Sequence, residues 1–537
     1  MTGVRSARIE NLALPIRGFN TELPLPSMPP EFSPWVLNVE NEGYLYKARQ
    51  GFNYFCDTAA NYISGQVAHP RDKTKLIFVD SWATSKRLVE ITAGSPIPTT
   101  VGTLGGASNT AQVLSFNYER HSYFFYANSA PSIFDGTTFS AMTITGPTAA
   151  NVIGGCAYRN RLYLFESNSG SLWYSELPRN VQGTFVEFPT TGSIQQSGNI
   201  LCAFSATSTN SAQPETFLGV HYDTGEVVLF RGAYPGSADW QVAGVFNAGT
   251  PIGTQSYINV EGDVWLMTYG GITSVRQLIN GIPANKITGN ISKYWEQLIK
   301  SVSTRATVLF ATSDPTLSLV RGAYHQGKRK VFICFPGYLQ TLVNSGSYTF
   351  TYNSNSISFL VYDLETESWV PGFTSTLVDT ETNSSFLTPY YWNNQDLLVI
   401  GSNNTALEQG FSYWDNSDNL SDYNSPSRNQ YTCYIHTAYT KSPYVGKVNS
   451  TFISHEGNAT LKSNAFCRLH IDYGSSRTGN QGLATTSSTA MSRDQFNIQA
   501  VGNAVSAEIL TSTSSSATGE YNIYTLELLK EDGKGIS

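Results

Sequence analysis

The chain has 537 residues, 40% hydrophobic and only 14% charged, with a net charge of −7. Its 33 Lys and Arg face 40 Asp and Glu, and no basic run stands out, which argues against tight phosphate binding. Six widely spaced cysteines without CxxC or CxxH argue against a disulfide framework; Cys156, Cys202 and Cys334 lie in apolar runs and are expected as reduced core thiols.

No apolar run approaches 18 residues, so no membrane-spanning helix is predicted. The opening MTGVRSARIENLALP lacks the basic and apolar regions of a signal peptide, and synthesis in a reducing cytoplasm is expected. Tyr, Phe, Thr, Ser, Asn and Gly are abundant, which suits pleated strands joined by turns.

Residues 1–58 read as an extended arm, with Pro24, Pro26, Pro29, Pro30 and Pro34 crowded together. Such a segment is ordered by whatever surface it crosses. Residues 59–429 are repetitive. Short apolar runs such as KLIFV (75–79), SYFFY (122–126), LYLF (162–165), VWLMT (264–268) and VFICF (331–335) each follow a polar turn. The turns include RDKTK, YRNR, EGD, GKRK and NNQD. Second strands end in an acidic turn and an aromatic, as around Asp135, Trp173 and Trp369. Units of roughly forty to sixty residues match the blades of a propeller. One helix interrupts them near 290–303: Ile291, Tyr294, Trp295, Leu298, Ile299 and Val302 make a 3.6-residue stripe, and Asn290 is placed to cap it. Residues 403–429 are polar and turn-rich, and are expected to leave the propeller. Residues 430–537 alternate again and read as a small β-sandwich, with a mobile Ser/Thr/Gly loop between Gly474 and Arg493. The expected fold is all-β: an irregular six- or seven-bladed β-propeller, a β-sandwich platform built from both termini, and one short inserted helix.

Catalytic motifs are missing from the sequence: there is no HExxH, GxSxG, Walker loop or GxGxxG. Asp80, Glu166, Asp223 and Asp263 occupy strand or turn positions where paired carboxylates could cleave a glycosidic bond. The bland alternative is a turn carboxylate satisfied by backbone N–H groups. SNSGSLW (167–173) resembles a sialidase Asp-box but lacks its aspartate. Asp415, Asp418 and Asp422 offer oxygen ligands for calcium, without the spacing or glycine of an EF-hand. Trp82, Trp240, Trp369 and Trp414 are either sugar platforms or blade-closing aromatics.

The most specific segments are LPIRGFNTELPLPSMPP (14–30), VLN (36–38) and GYLYKARQGF (43–52). Together they resemble the opening of the nozzle proteins of short-tailed bacteriophages, the tail tubular protein B-like or stabilisation proteins. The matching positions are Gly18, Asn20, Thr21, Met28, Pro29, Pro30, Leu37, Asn38, Arg49, Gly51 and Phe52. Later pieces follow in the family's order: AYRNRLYLF (157–165), LWYSELP (172–178), EGDVWLMTYGGITSV (261–275) and ISKYWEQLI (291–299). Tyr269-Gly270 departs from the pattern by replacing an acidic residue. The resemblance runs in pieces from about residue 12 to 300.

It implies a structural virion protein and not an enzyme, with no cofactor, catalytic residue or metal. Six copies would form a ring at the distal end of the tail, docked on an adaptor ring, anchoring tail fibres or spikes, and passing genome DNA without sequence-specific binding. Gly18, Asn20, Met28, Pro29, Pro30, Asn38, Arg49 and Gly51 would serve assembly. A carbohydrate-binding or glycan-degrading propeller of the phage tail is the alternative.

Overall fold

The computed structural model describes residues 7–42, 45–49, 52–58, 62–82, 85–92, 99–105, 113–126, 128–208, 215–281, 286–310, 320–344, 347–374, 386–392, 395–401, 409–414, 422–424, 427–429, 432–457, 465–473, 475–479, 491–496, 498, 500–512 and 521–532. Small antiparallel sheets succeed one another along the chain, and the fold is all-β apart from a few short helical turns and one long helix.

Among the described residues, seven such sheets follow in order. They span Tyr62–Leu104, Leu114–Ala141, Ile144–Pro189, Ile200–Asn247, Tyr257–Ser274, Arg321–Thr374, and last Phe386–Trp414. The fourth strand of the last sheet comes from the other end of the chain. Phe52–Thr58 pairs antiparallel with Gln409–Trp414. The strand therefore belongs with this sheet and not with the arm, where the sequence analysis placed residues up to 58. Gln409–Trp414 likewise stays in the sheet, although residues 403–429 were expected to leave it.

Local chemistry explains several hairpins. Glu119 and Arg120, Arg159 and Asn160, and Glu261 and Gly262 each form a two-residue turn with positive φ at both positions. That backbone matches the right-handed twist of the strands it joins. The YRNR and EGD turns of the sequence are two of these. Close packing across the strands is also specific: a Cβ on Gly219 would stand 2.2 Å from the Phe204 ring.

Neighbouring sheets lie against each other through strands near their starts. Tyr62–Ala68 touches Leu114–Tyr118, which touches Val152–Tyr158, which touches Ile200–Ser208. Ile200–Ser208 meets Asp263–Thr268, Tyr257–Val260 meets Arg321–His325, and Arg321–His325 meets Phe386–Trp392. Phe386–Trp392 returns to Tyr62–Ala68, closing the cycle of contacts.

Both termini share an eleven-stranded sheet. Its path runs Trp35–Leu37, Thr432–His436, Ala500–Ser512, Thr440–Gly457, Tyr521–Asp532, Tyr46–Ala48, Val39–Asn41. Ala7–Leu12 adds to Tyr521–Asp532, and Phe466–Ile471 to Ala500–Ser512. Ser475–Gly479 is a strand paired with Phe466–Ile471, inside the stretch expected as a loop; residues 480–490 lie outside the described residues.

The helix runs Ser292–Phe310, longer than its sequence stripe indicated. All six stripe residues are buried. They join Phe19 and Trp35 of the arm, Ile333, Leu360 and Trp369 of the sixth sheet, and Ile435 and Leu526 of the terminal sheet in one continuous core. Cys156, Cys202, Cys334, Cys433 and Cys467 are buried free thiols.

Candidate functional site

The arm residues singled out in the sequence converge on one joint. There the arm, the terminal sheet, the long helix and the sixth sheet meet. Gly18 starts it. Its φ is +69°, and a Cβ would lie 2.5 Å from the Trp369 carbonyl oxygen. Only glycine lets the arm turn this close to another backbone. The next residue, Phe19, donates its N–H to that same carbonyl at 3.0 Å, and the Gly18 carbonyl accepts from Ser33 N at 2.7 Å. Phe19 then sits edge-on to Trp35 and Tyr294, with ring centroids 5.0 and 5.1 Å away.

Asn20 shapes the following turn. Its Oδ1 accepts from the N–H groups of Glu22 and Leu23 at 2.9 and 3.0 Å. The turn aims Glu22 at the long helix, where its carboxylate accepts from Lys293 N at 2.7 Å. Thr21 N donates to the Asn290 carbonyl at 2.9 Å. Asn290 was expected to cap this helix; the side-chain bond at its N-terminus comes instead from Glu22, 271 residues away. An acidic side chain there satisfies an otherwise unpaired N–H and opposes the helix dipole.

Asn38 and Arg49 form the second half. Asn38 holds φ +54°, a conformation Asn tolerates better than most residues. Its N–H donates to the Pro371 carbonyl at 3.1 Å, and its carbonyl accepts from Arg49 N at 3.1 Å and from the Cys433 thiol at 3.2 Å. Arg49 Nε donates to Asn38 Oδ1 at 2.9 Å, and the guanidinium lies 5.6 Å from the Phe359 ring centroid. Arg49 is buried. Met28 is buried with Leu25, Phe32, Ala438, Tyr439 and Ala504, while Pro29 is half-buried and Pro30 exposed. Gly51 lies outside the described residues.

Beside Asn38 a small cavity is lined by Glu40, Arg49, Lys330, Phe359 and Asp363, among others. Lys330 Nζ stands 2.9 Å from Glu40 and 3.6 Å from Asp363, and Lys328 Nζ is 3.9 Å from Glu40. Burial alone would raise the Glu40 pKa, but Lys330 and Lys328 outweigh it and hold it down at about 2. Burial pulls Lys330 down, but the charge and hydrogen bond of Glu40 together with Asp363 and Glu42 more than offset it, so its pKa is raised.

This constellation fastens one part of the chain to another; it holds no nucleophile with an adjacent base. Sequence reasoning found Gly18, Asn20, Asn38 and Arg49. It missed Glu22, Glu40, Lys330 and Trp369 as members of the same joint, because nothing local links residues about 270 to 350 positions apart. The GKRK turn at Gly327–Lys330 was the available signal: two lysines that close need carboxylates if buried.

Of the candidate catalytic carboxylates, Glu166, Asp223 and Asp263 each bind a separate set of partners. Glu166 accepts from Thr148 N at 2.8 Å and Trp173 Nε1 at 2.9 Å. Asp223 accepts twice from Asn199, at 2.9 Å each. Asp263 accepts from the N–H groups of Val264 and Arg276 and the Ser274 hydroxyl. Each tethers a turn or strand end. Trp369 is buried and donates to the Ile287 carbonyl, and Trp240 stacks on Phe230 at 5.4 Å, so both act in packing and not as open platforms. The side chains of Asp80, Trp82, Trp414 and Asp422, and all of Asp415 and Asp418, lie outside the described residues. Among the described residues no group of three His, Cys, Asp or Glu could hold a metal, and no helix is long and apolar enough to cross a membrane.

No protein-family model and no curated protein matches the chain. Among solved structures it is similar to YCF48 bound to D1 peptide, at 12% identity and a TM-score of 0.37 over 68% of this chain and 96% of that one. It is also similar to Chaetomium thermophilum Raptor (7%, TM-score 0.37, 68% of this chain and 29% of that one) and Saccharomyces cerevisiae Sqt1 (10%, 0.36, 73% and 96%). Likeness this slight adds nothing to what the strand pairings already say about the architecture.

Proposed function

We propose that the chain is a structural component of a short phage tail: a seven-bladed β-propeller carrying a platform sheet, six copies of which form the nozzle ring. The closed cycle of contacts between the seven sheets supports the blade number. Sharing of the last sheet between Phe52–Thr58 and Gln409–Trp414 supplies the closure that a propeller needs.

The observation that carries the functional reading is the joint. The residues that resemble the nozzle family are those whose chemistry the joint requires: a left-handed glycine at Gly18, the turn-forming Asn20, and the Asn38–Arg49 pair. The joint makes arm, platform and sixth blade one mechanical unit, which suits a part that bears load between an adaptor ring and its own propeller. Much of residues 14–38 packs on the arm's own chain, which leaves exposed residues such as Pro24, Pro26 and Pro30 for a neighbouring copy. The acidic balance of 33 Lys and Arg against 40 Asp and Glu fits a conduit that lets a polyanion pass without holding it.

The test is mass photometry and negative-stain imaging of the full chain, alone and mixed with a phage tail adaptor ring. A six-copy ring in either condition is expected. A chain that stays single in both overturns the reading. Release of reducing ends from a panel of bacterial glycans would move it to the glycan-degrading alternative.

A further inference from the structure

The sixth sheet contains a structure that its blade does not use. Four strands pair only where Arg321–His325 and Ser368–Thr374 flank the two central strands. Past that point the central strands, Lys330–Asn344 and Ser347–Asp363, go on pairing with each other. Pairs from Tyr338–Asn353 to Asn344–Ser347 make a two-stranded ribbon of seven pairs, roughly 20 Å long. Among the described residues no third strand joins it.

A lone two-stranded ribbon is marginal in water. Exposed strand edges are normally guarded by charge, proline or a bulge. This ribbon has no such guard along its seven pairs; Pro336 and the bulge beside it stand at the base. From Val331 to Tyr362 the sequence holds no Lys, Arg, Asp, Glu or His. At the chain's 14% charged content, 32 residues would carry 0.14 × 32, or about 4.5. In the backbone register Leu339 stands opposite Tyr352, Thr341 opposite Phe350 and Val343 opposite Tyr348.

A hairpin has two edges, so each copy has one to give and one to receive. Head-to-tail pairing of that kind closes into a ring when the rotation from copy to copy divides a full turn. We infer that the ribbon is an interface with a second copy of this chain: residues 347–353 of one copy pair antiparallel with residues 338–344 of the next. The inference rests on the ring reading above. Paired in this way, the ribbons form a continuous, uncharged collar.

The experiment places a photo-crosslinking p-benzoylphenylalanine at Tyr338 or at Tyr352 in the full chain, using a mixture of light and heavy isotope-labelled copies. Linked peptides joining 338–344 of one copy to 347–353 of another are expected. A second variant replaces residues 338–353 by Asn-Gly and leaves the four-stranded part intact. Its half-assembly concentration should rise at least tenfold with its thermal midpoint unchanged. Rings whose cross-links stay within one copy, or a shortened variant that assembles as well as the parent, overturn the inference and leave the ring reading standing. A parent chain that never forms rings overturns both. Dye release from phosphatidylglycerol-containing vesicles without cross-links between copies assigns the ribbon to a bilayer and likewise overturns the inference.

Discussion

At Gly18 a methyl group is enough to disturb the joint. Gly18→Ala puts a Cβ against the Trp369 carbonyl and keeps a positive φ. Strain and displacement together are expected to cost about 2 kcal/mol, read as a lower denaturation midpoint. Glu40 works through charge. Glu40→Gln leaves Lys330 with Asp363 at 3.6 Å and removes a carboxylate 3.9 Å from Lys328. Breaking a buried pair from one side typically costs about 3 kcal/mol. The pH dependence has a definite sign. The folded pKa of about 2 lies below the ordinary 4.5, so the Glu40 contribution is complete above about pH 5 and is lost as pH falls toward 2. Unfolding midpoints measured from pH 7 to pH 2 should fall less steeply in Glu40→Gln than in the parent. Equal slopes would show that Glu40 is not the group responsible. Of these residues, Gly18 was visible in the sequence as part of a motif. The function of Glu40 was not, because a charge reveals its partner only when folding removes water from both.

The helix and the hairpins differ in how much of them was legible. The hairpin turns at 159–160 and 261–262 are fixed by residues within a few positions, and the sequence showed them. So did the helical stripe from Ile291 to Val302, since periodicity is local. The N-terminus of that helix was misjudged, with Asn290 chosen by proximity. Glu22 supplies the side-chain bond, and it reaches Lys293 only because the Asn20 turn and the Gly18 contact hold the arm in place. Glu22→Ala is expected to cost about 1 kcal/mol. It should also speed proteolytic cleavage in residues 14–34 relative to the parent, because the arm loses one of its ties. Unchanged cleavage kinetics would show that the remaining bonds hold the arm by themselves.

The ring of sheets is held shut by a strand from the wrong end of the chain. Phe52–Thr58 pairs with Gln409–Trp414 across more than 350 residues, so its loss should be felt in the last sheet first. Replacing Phe52–Thr58 by a Gly/Ser segment of equal length should cost about 3 kcal/mol or more. Amide hydrogens of 386–414 should then exchange faster, while those of 152–247 stay protected. Uniform protection throughout would refute closure by this strand.

The sequence alone determined the β texture, the turns, the buried thiols, the helical stripe and the arm motif, because each depends on residues a few positions apart. It also showed no HExxH, GxSxG, Walker or GxGxxG motif. Only the tertiary structure decided that the arm binds its own chain, that Glu22 reaches the helix and that Glu40 meets Lys330. It alone decided which strand completes the last sheet. Those pairings span some 270 to 360 residues, and no local propensity encodes them. They form only when burial of the shared core outweighs the entropy of bringing the two ends together.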